Sequence, residues 1–207
     1  MVIKYLILII TMSSCFVRPA IKEDALFLAR TVMEAIGEEL CLGMAGSRAR
    51  MPLVRRLFAN LAASDESQYS YKNSWVACSP DGSTCGAVIA YDGARLGRLR
   101  TAFIREANAL LGWNIDEYEA QHWEAEAEAG EIYIDSLFVL PAFRRQGLAS
   151  QLVASVLDRY RTAGKPFGLL VEPGNLAAKH TYERLGFRKV GVNGFFGVEM
   201  DHMQRSL

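Results

Sequence analysis

A surplus of charge of either sign is the first thing this chain lacks. Its 23 basic residues are matched by 23 acidic ones, so no general field draws it to nucleic acid or to an anionic membrane. Metal-ligating residues are also scarce. Cys15, Cys41, Cys78 and Cys85 show no paired zinc-site spacing, and His122, His180 and His202 form no cluster with them. No metal centre is expected, and reduced structural thiols are the default; an exported chain would instead make Cys78–Cys85 a disulfide candidate. Repeats, low-complexity tracts and interdomain linkers are missing, and 207 residues with 51% hydrophobic content suit one domain, placed at 13–207. No apolar run reaches the roughly 20 residues of a membrane span.

The stretch from Glu131 to Phe187 carries the most information. Ile132 to Val139 is apolar, β-branched and aromatic, the composition of a strand, and Pro141 stops it because proline cannot donate to a ladder. Arg144-Arg145-Gln146-Gly147-Leu148-Ala149 then leads into a helix whose stripe is Leu148, Leu152, Val156 and Tyr160, ended by Gly164 and Pro166. A second strand, Phe167 to Val171, is followed by Asn175 and a short helix that stops at Leu185-Gly186-Phe187. Strand, basic turn with glycine and helix together make an anion site. The first amides of a helix lack internal partners and carry the positive end of its dipole, so a phosphate can bind there. Gly147 lets an oxygen approach the main chain, and Arg144 and Arg145 can bond phosphate bidentately. The plainer account is a solvated basic face opening an amphipathic helix.

Two motifs in order weigh against that plainer account. Arg144-x-x-Gly147-x-Ala149 followed by Asn175-x-x-Ala178-x-x-x-Tyr182-x-x-x-Gly186-Phe187 resembles the GNAT N-acetyltransferase superfamily. A weaker echo is Val17-Arg18-Pro19-Ala20 with Asp24-Ala25, where Ile21 replaces the usual hydroxyl cap. The resemblance implies an α/β fold, with a central mixed sheet of six to seven strands flanked by helices. It also implies acetyl-CoA as donor and an amine, of a small molecule or a peptide, as acceptor. In that family the strands matching 132–139 and 167–171 splay apart, and the pantetheine arm pairs with the freed main chain. By position Leu137, Phe138 and Val139 would line that arm, with Leu137 and Val139 supplying backbone bonds. Arg144, Arg145, Gln146, Gly147, Leu148 and Ala149 would hold the pyrophosphate. Asn175 and Ala178 would cover the other side of the cofactor, Asn175 as helix cap, cofactor contact or both. Tyr182 matches the tyrosine that protonates the departing thiolate, although it also reads as a buried aromatic on one face with Ala178, Thr181 and Leu185. Asp135, near the splay, is the first candidate base and Glu172 the second; each also reads as a surface carboxylate. A non-catalytic acyl-CoA-binding module of the same fold is the alternative.

Elsewhere, Lys22 to Ile36 reads as a helix stopped by Gly37, and Met51 to Ala63 as a second. Arg48, Arg50, Arg55 and Arg56 read as a solvated face. Tyr69 and Tyr71 fall where the resembled family borders its acceptor. Cys15-Phe16-Val17 is a first strand, and Ser74–Cys78 and Cys85–Tyr91 form a hairpin about Pro80-Asp81-Gly82. A closing hairpin joins Arg188–Val192 to Phe196–Met203 about Asn193-Gly194. Residues 94–130 are an insertion with a helix through Leu99, Phe103 and Leu111 and a second over Ile115 to Ala129. Its Glu117, Glu119, Glu124, Glu126 and Glu128 read as a solvated face or as carboxylates drawing a cationic amine, and His122 as a packed or surface histidine. A substrate wall or a homodimer contact are the uses of so long an insertion. Residues 1–12, MVIKYLILIITM, have the length of a signal-peptide core, and Ser13-Ser14-Cys15 resembles a lipoprotein cleavage site. Cleavage there leaves almost no chain before the first strand, and export would part an acetyltransferase from its donor. The expectation is therefore an upstream extension, with Met12 as working start, on a cytoplasmic protein.

Overall fold

The computed structural model describes residues 15–121, 123 and 125–206; the readings of residues 1–12 and of His122 and Glu124 lie outside them. Seven strands form one mixed sheet: β1 (Phe16–Pro19), β2 (Ser74–Cys78), β3 (Thr84–Asp92), β4 (Ile132–Val139), β5 (Phe167–Val171), β6 (Arg188–Phe195) and β7 (Val198–Arg205), in the order β1-β2-β3-β4-β5-β7-β6. Every neighbouring pair is antiparallel except β4 and β5. Helices α1 (Ala25–Ala45), α2 (Met51–Ala63) and α3 (Leu96–Leu111) cover one face, with the short α4 (Glu117–Gln121) beside them. On the other face α5 (Leu148–Arg159) buries Leu148, Leu152, Val153 and Val156 against Val88, Ile134 and Phe167, and α6 (Leu176–Arg184) packs Ala178 and Tyr182 on the same core. Burial on both faces explains why β3 and β4 read as nearly continuous apolar runs rather than as alternations.

Several local readings change. At Gly37 (φ 85°, ψ 162°) the backbone does leave the helical region, as the expected stop requires, but helix resumes beyond it and α1 runs to Ala45 across a kink. Asp24 supplies the cap that Ile21 cannot: its carboxylate accepts the Ile21 N–H at 2.8 Å while Arg18 grips it at 2.7 and 3.0 Å. The expected second helix of the insertion shrinks to α4, and the chain after it is irregular, held by buried Arg100 donating to the carbonyls of Ala120 and Trp123. The last hairpin turns at Phe196-Gly197, not at Asn193-Gly194. Phe195 pairs with Val198, and Phe196 (φ 48°) and Gly197 (φ 80°) take the left-handed conformations of a tight two-residue loop. Cys78 and Cys85 are both free and sit on opposite faces of the sheet, Cys78 with Leu28 and Val76, Cys85 with Val88 and Leu152, which places a bridge between them out of reach. Of the basic cluster, Arg50 reaches inward to donate to the Leu111 carbonyl at 2.6 Å, tying α3's end to the start of α2. Among the described residues no helix is long and apolar enough to cross a membrane, and no cluster of metal ligands occurs.

Candidate functional site

The site begins where the sheet comes apart. β4 and β5 pair only at Ile132↔Phe167 and Tyr133↔Gly168; from Ile134 and Leu169 onward no ladder joins them, although β5 stays paired with β7 along its whole length. Gly168 sits at the divergence because a Cβ there would lie 1.8 Å from an oxygen of the fully buried Glu131 carboxylate. That carboxylate is fixed by His202 at 2.9 Å, Gln204 at 2.8 Å and the Glu128 N–H at 3.1 Å, so it cannot swing aside. The network thus closes β4 on β5 at one end and leaves the other end open.

Main-chain direction follows from the register with β3. The Leu140 N–H donates to the Cys85 carbonyl at 2.9 Å, so Leu140 and, by alternation, Phe138 turn their polar groups toward β3, while Leu137 and Val139 turn theirs to the gap. One of these, the Val139 carbonyl, accepts Nε of Arg144 at 2.9 Å. The Phe138 ring packs 6.3 Å from Phe27 and lies under the guanidinium groups of Arg30 and Arg144.

At the mouth of the gap the turn Arg144–Gly147 is exposed, and nothing among the described residues fills it. Arg145 (φ 62°) and Gly147 (φ 80°) are both left-handed, a conformation that turns successive amides to one side. Among the described residues no side chain caps α5, whose first amides are therefore left for a ligand or for solvent. A Cβ on Gly147 would meet no atom within 4 Å, so open space lies against the main chain there. Exposed donors, a helix dipole and two arginines fit a pyrophosphate.

Across the gap, Asn175 Oδ1 accepts the Ala178 N–H at 3.1 Å and caps α6. Tyr182 lies half-buried with its ring 5.8 Å from Phe187; burial pushes its phenol up to about 12, and its hydroxyl has no hydrogen bond among the described residues. Glu172 is exposed at the end of β5.

Asp135 stands at an irregularity in β4: Ile89 pairs with Ser136 and Ala90 with Ile134, leaving Asp135 as the extra residue of a bulge. Its carboxylate accepts the Tyr91 hydroxyl at 3.0 Å and the Ser136 hydroxyl at 2.7 Å. Burial, and then the charge of Glu126, push it up to about 7 against those two bonds. The phenols of Tyr69, Tyr91 and Tyr133 are held well above their ordinary range, by burial first and by the Asp135 charge second.

Tyr69 and Glu126, which share an electrostatic interaction with Asp135, line a cavity of about 550 Å³ on the α1–α3 face. Its walls come from five separate segments: α1 beyond the Gly37 kink (Leu40, Met44), α2 (Phe58), the loop with Gln68 and Tyr69, the insertion (Phe103, Trp113, Trp123) and the Phe195-Phe196-Gly197 turn. Buried Arg100 and Glu126 form an ion pair in it. The insertion is therefore a cavity wall, and Glu126 is the acidic residue that faces inward, while Glu117 pairs outside with Arg105 at 2.7 Å. Tyr69 lines the cavity; Tyr71 does not, bonding Asp65 instead at 2.9 Å. Gln68 had no signal in the sequence, being one polar residue in a polar loop.

Comparison with known proteins agrees with this architecture. An acetyltransferase of Agrobacterium fabrum is 31% identical over 112 residues, covering 52% of this chain and 74% of its own length. The mycothiol acetyltransferase of Gordonia bronchialis is 38% identical over 79 residues, 37% of this chain, but the match spans only 25% of that protein. A crystal structure of an acetyltransferase superposes with a TM-score of 0.70 at 24% identity, over 92% of this chain and 98% of the other. The model of the acetyltransferase (GNAT) family matches residues 53–187, and the chain belongs to that family.

Proposed function

We propose that this protein is an N-acetyltransferase that passes the acetyl group of acetyl-CoA to a primary amine in a ternary complex. The observation that carries this reading is the two-residue β4–β5 ladder opening beside an uncapped, exposed α5 N-terminus. Acetyl-CoA supplies the acetyl group as an activated thioester. The amides from Gln146 to Ala149, with Arg144 and Arg145, hold its pyrophosphate, and the gap-facing groups of Leu137 and Val139 hold the pantetheine arm. Arg144 is already oriented by its bond to Val139, so little of its freedom is lost on binding. Asp135, with its carboxyl pushed up to about 7, accepts the proton the amine loses as the new N–C bond forms. Tyr182, protonated at every working pH, donates to the sulfur as the C–S bond breaks. Burial that raises the phenol raises a thiol in the same place, so the proton can follow the hydrogen bond.

The test is thiol release from acetyl-CoA over a panel of amines, beside calorimetric titration with CoA. The reading expects amine-dependent release, and a Tyr182→Phe variant that loses roughly 10²-fold in kcat while binding CoA as before. Tight CoA binding without release for any amine would instead leave a non-catalytic acyl-CoA-binding module.

A further inference from the structure

The cavity lined by Tyr69 and Glu126 has a composition that selects among amines. Its volume of about 550 Å³ lies within the range of small-molecule sites. Its walls are mostly apolar, with aromatic rings the largest group, and the ion pair inside it is internally matched: Arg100 holds Glu126 and donates as well to the Ala120 and Trp123 carbonyls. One acceptor is left over. Gln68 is 3% exposed and donates through Nε2 to Glu126 at 3.4 Å, yet its Oε1 has no hydrogen-bond partner among the described residues. A buried carbonyl oxygen without a donor is rare in a native protein and points to a donor brought in by a ligand.

We infer that the acceptor is a monoamine carried on an apolar, aromatic body, with Gln68 Oε1 accepting one N–H of its amino group. This rests on the acetyl-transfer reading. The one orphan acceptor found among the described residues, next to Glu126, provides for one amino group. The aromatic walls provide for a body without further charges, and their faces also attract an ammonium. A polyamine, an aminoglycoside or a lysyl peptide would have to bury further cationic or hydroxyl groups against these rings, at a desolvation cost that ring–cation attraction of about 0.5–2 kcal/mol only partly offsets. The Phe195-Phe196 pair, 4.9 Å apart and edge to face, supplies the strand side of this wall.

The experiment compares kcat/KM for 2-phenylethylamine and tryptamine with that for spermidine, kanamycin and a lysyl peptide. The aryl monoamines are expected to lead by roughly 100-fold, the scale of discrimination a pocket of this kind reaches. In Gln68→Met, KM for the leading amine should rise about tenfold with kcat little changed, since a neutral hydrogen bond to the ammonium is lost. Phe196→Asn, at a half-exposed position whose left-handed φ of 48° asparagine tolerates, should also raise that KM without lowering the melting temperature. Equal or better turnover of the polar amines, or an unchanged KM in both variants, overturns the inference and leaves the acetyl-transfer reading standing. Should no amine release thiol, that reading falls, and titration of Trp113 and Trp123 fluorescence with 2-phenylethylamine decides the inference. Saturable quenching weakened in Gln68→Met upholds it, and no quenching overturns it.

Discussion

Asp135, proposed above as the base, also bears on stability. Its carboxyl, pushed up to about 7 by burial and by Glu126, holds its proton far more firmly in the folded chain than in the unfolded one. The sign follows directly. An acid with a raised folded pKa contributes fully to stability only below its unfolded value near 4, and that contribution is lost as pH rises through about 7. Asp135→Asn is therefore expected to melt above the wild type at pH 8, with the gap closing toward pH 4, as differential scanning calorimetry would record. Activity should move the other way. In the wild type, kcat/KM should climb with pH through an inflection near 7 as Asp135 becomes able to accept a proton, and again toward the amine's own pKa of about 10. The asparagine variant should lose the lower inflection and roughly 10²-fold in rate. A retained inflection near 7 would mean that Asp135 is not the base. The sequence placed this carboxylate on the right strand but could not give its pKa, because Glu126 reaches it from an irregular segment nearly ten residues upstream and Tyr91 from another strand.

At the scale of elements, two glycines shape the cleft by different means and should fail differently when replaced. Gly147 needs its backbone conformation: φ is 80° and a Cβ there meets nothing. Gly147→Ala should thus cost only about 1–2 kcal/mol of stability, the strain of an L-residue in the left-handed region. CoA affinity should fall far more than that loss suggests, since relaxing the turn re-aims the amides at the head of α5. Gly168 needs space instead, with the Glu131 carboxylate where a Cβ would go. Gly168→Ala must push Glu131 off His202 and Gln204, and the expected loss is about 1–3 kcal/mol of unfolding free energy, the range for overpacking a filled site. Denaturant titration of both variants, read beside CoA calorimetry, separates the two mechanisms. In Gly147→Ala binding should suffer more than stability, and in Gly168→Ala stability should suffer first.

Over the whole molecule, features encoded within about ten residues of chain were legible, and features assembled from distant segments were not. The turn after β4, the Asn175 cap and the break at Gly37 each depend on neighbours in sequence. The position of the last turn does not. Asn193-Gly194 has the stronger local turn chemistry, but the longer β6–β7 pairing carries Phe195 and Phe196 to the cavity wall, and that tertiary arrangement moves the turn about three residues on. The cavity itself, drawn from five segments, had no single-segment signature beyond Tyr69 and the acidic insertion. The cleft is likewise a property of the whole sheet. Beyond Tyr133 and Gly168, β4 is supported by β3 alone and β5 by β7 alone, so the gap-facing amides of Leu137 and Val139 have no strand partner. Hydrogen exchange should find these amides, with those opening α5, fast in the free protein and slowed when acetyl-CoA is added. The Phe138 and Leu140 amides, turned to β3, should stay slow in both states. A ligand that binds only the folded state also stabilises everything by mass action, by about 2.7 kcal/mol at 100 times its Kd. The diagnostic is therefore the alternation: protection gained at 137 and 139 but not at 138 and 140 is the pattern of a chain laid along the open edge of β4. Uniform slowing along β4 would instead mean that the donor binds elsewhere and only tightens the fold.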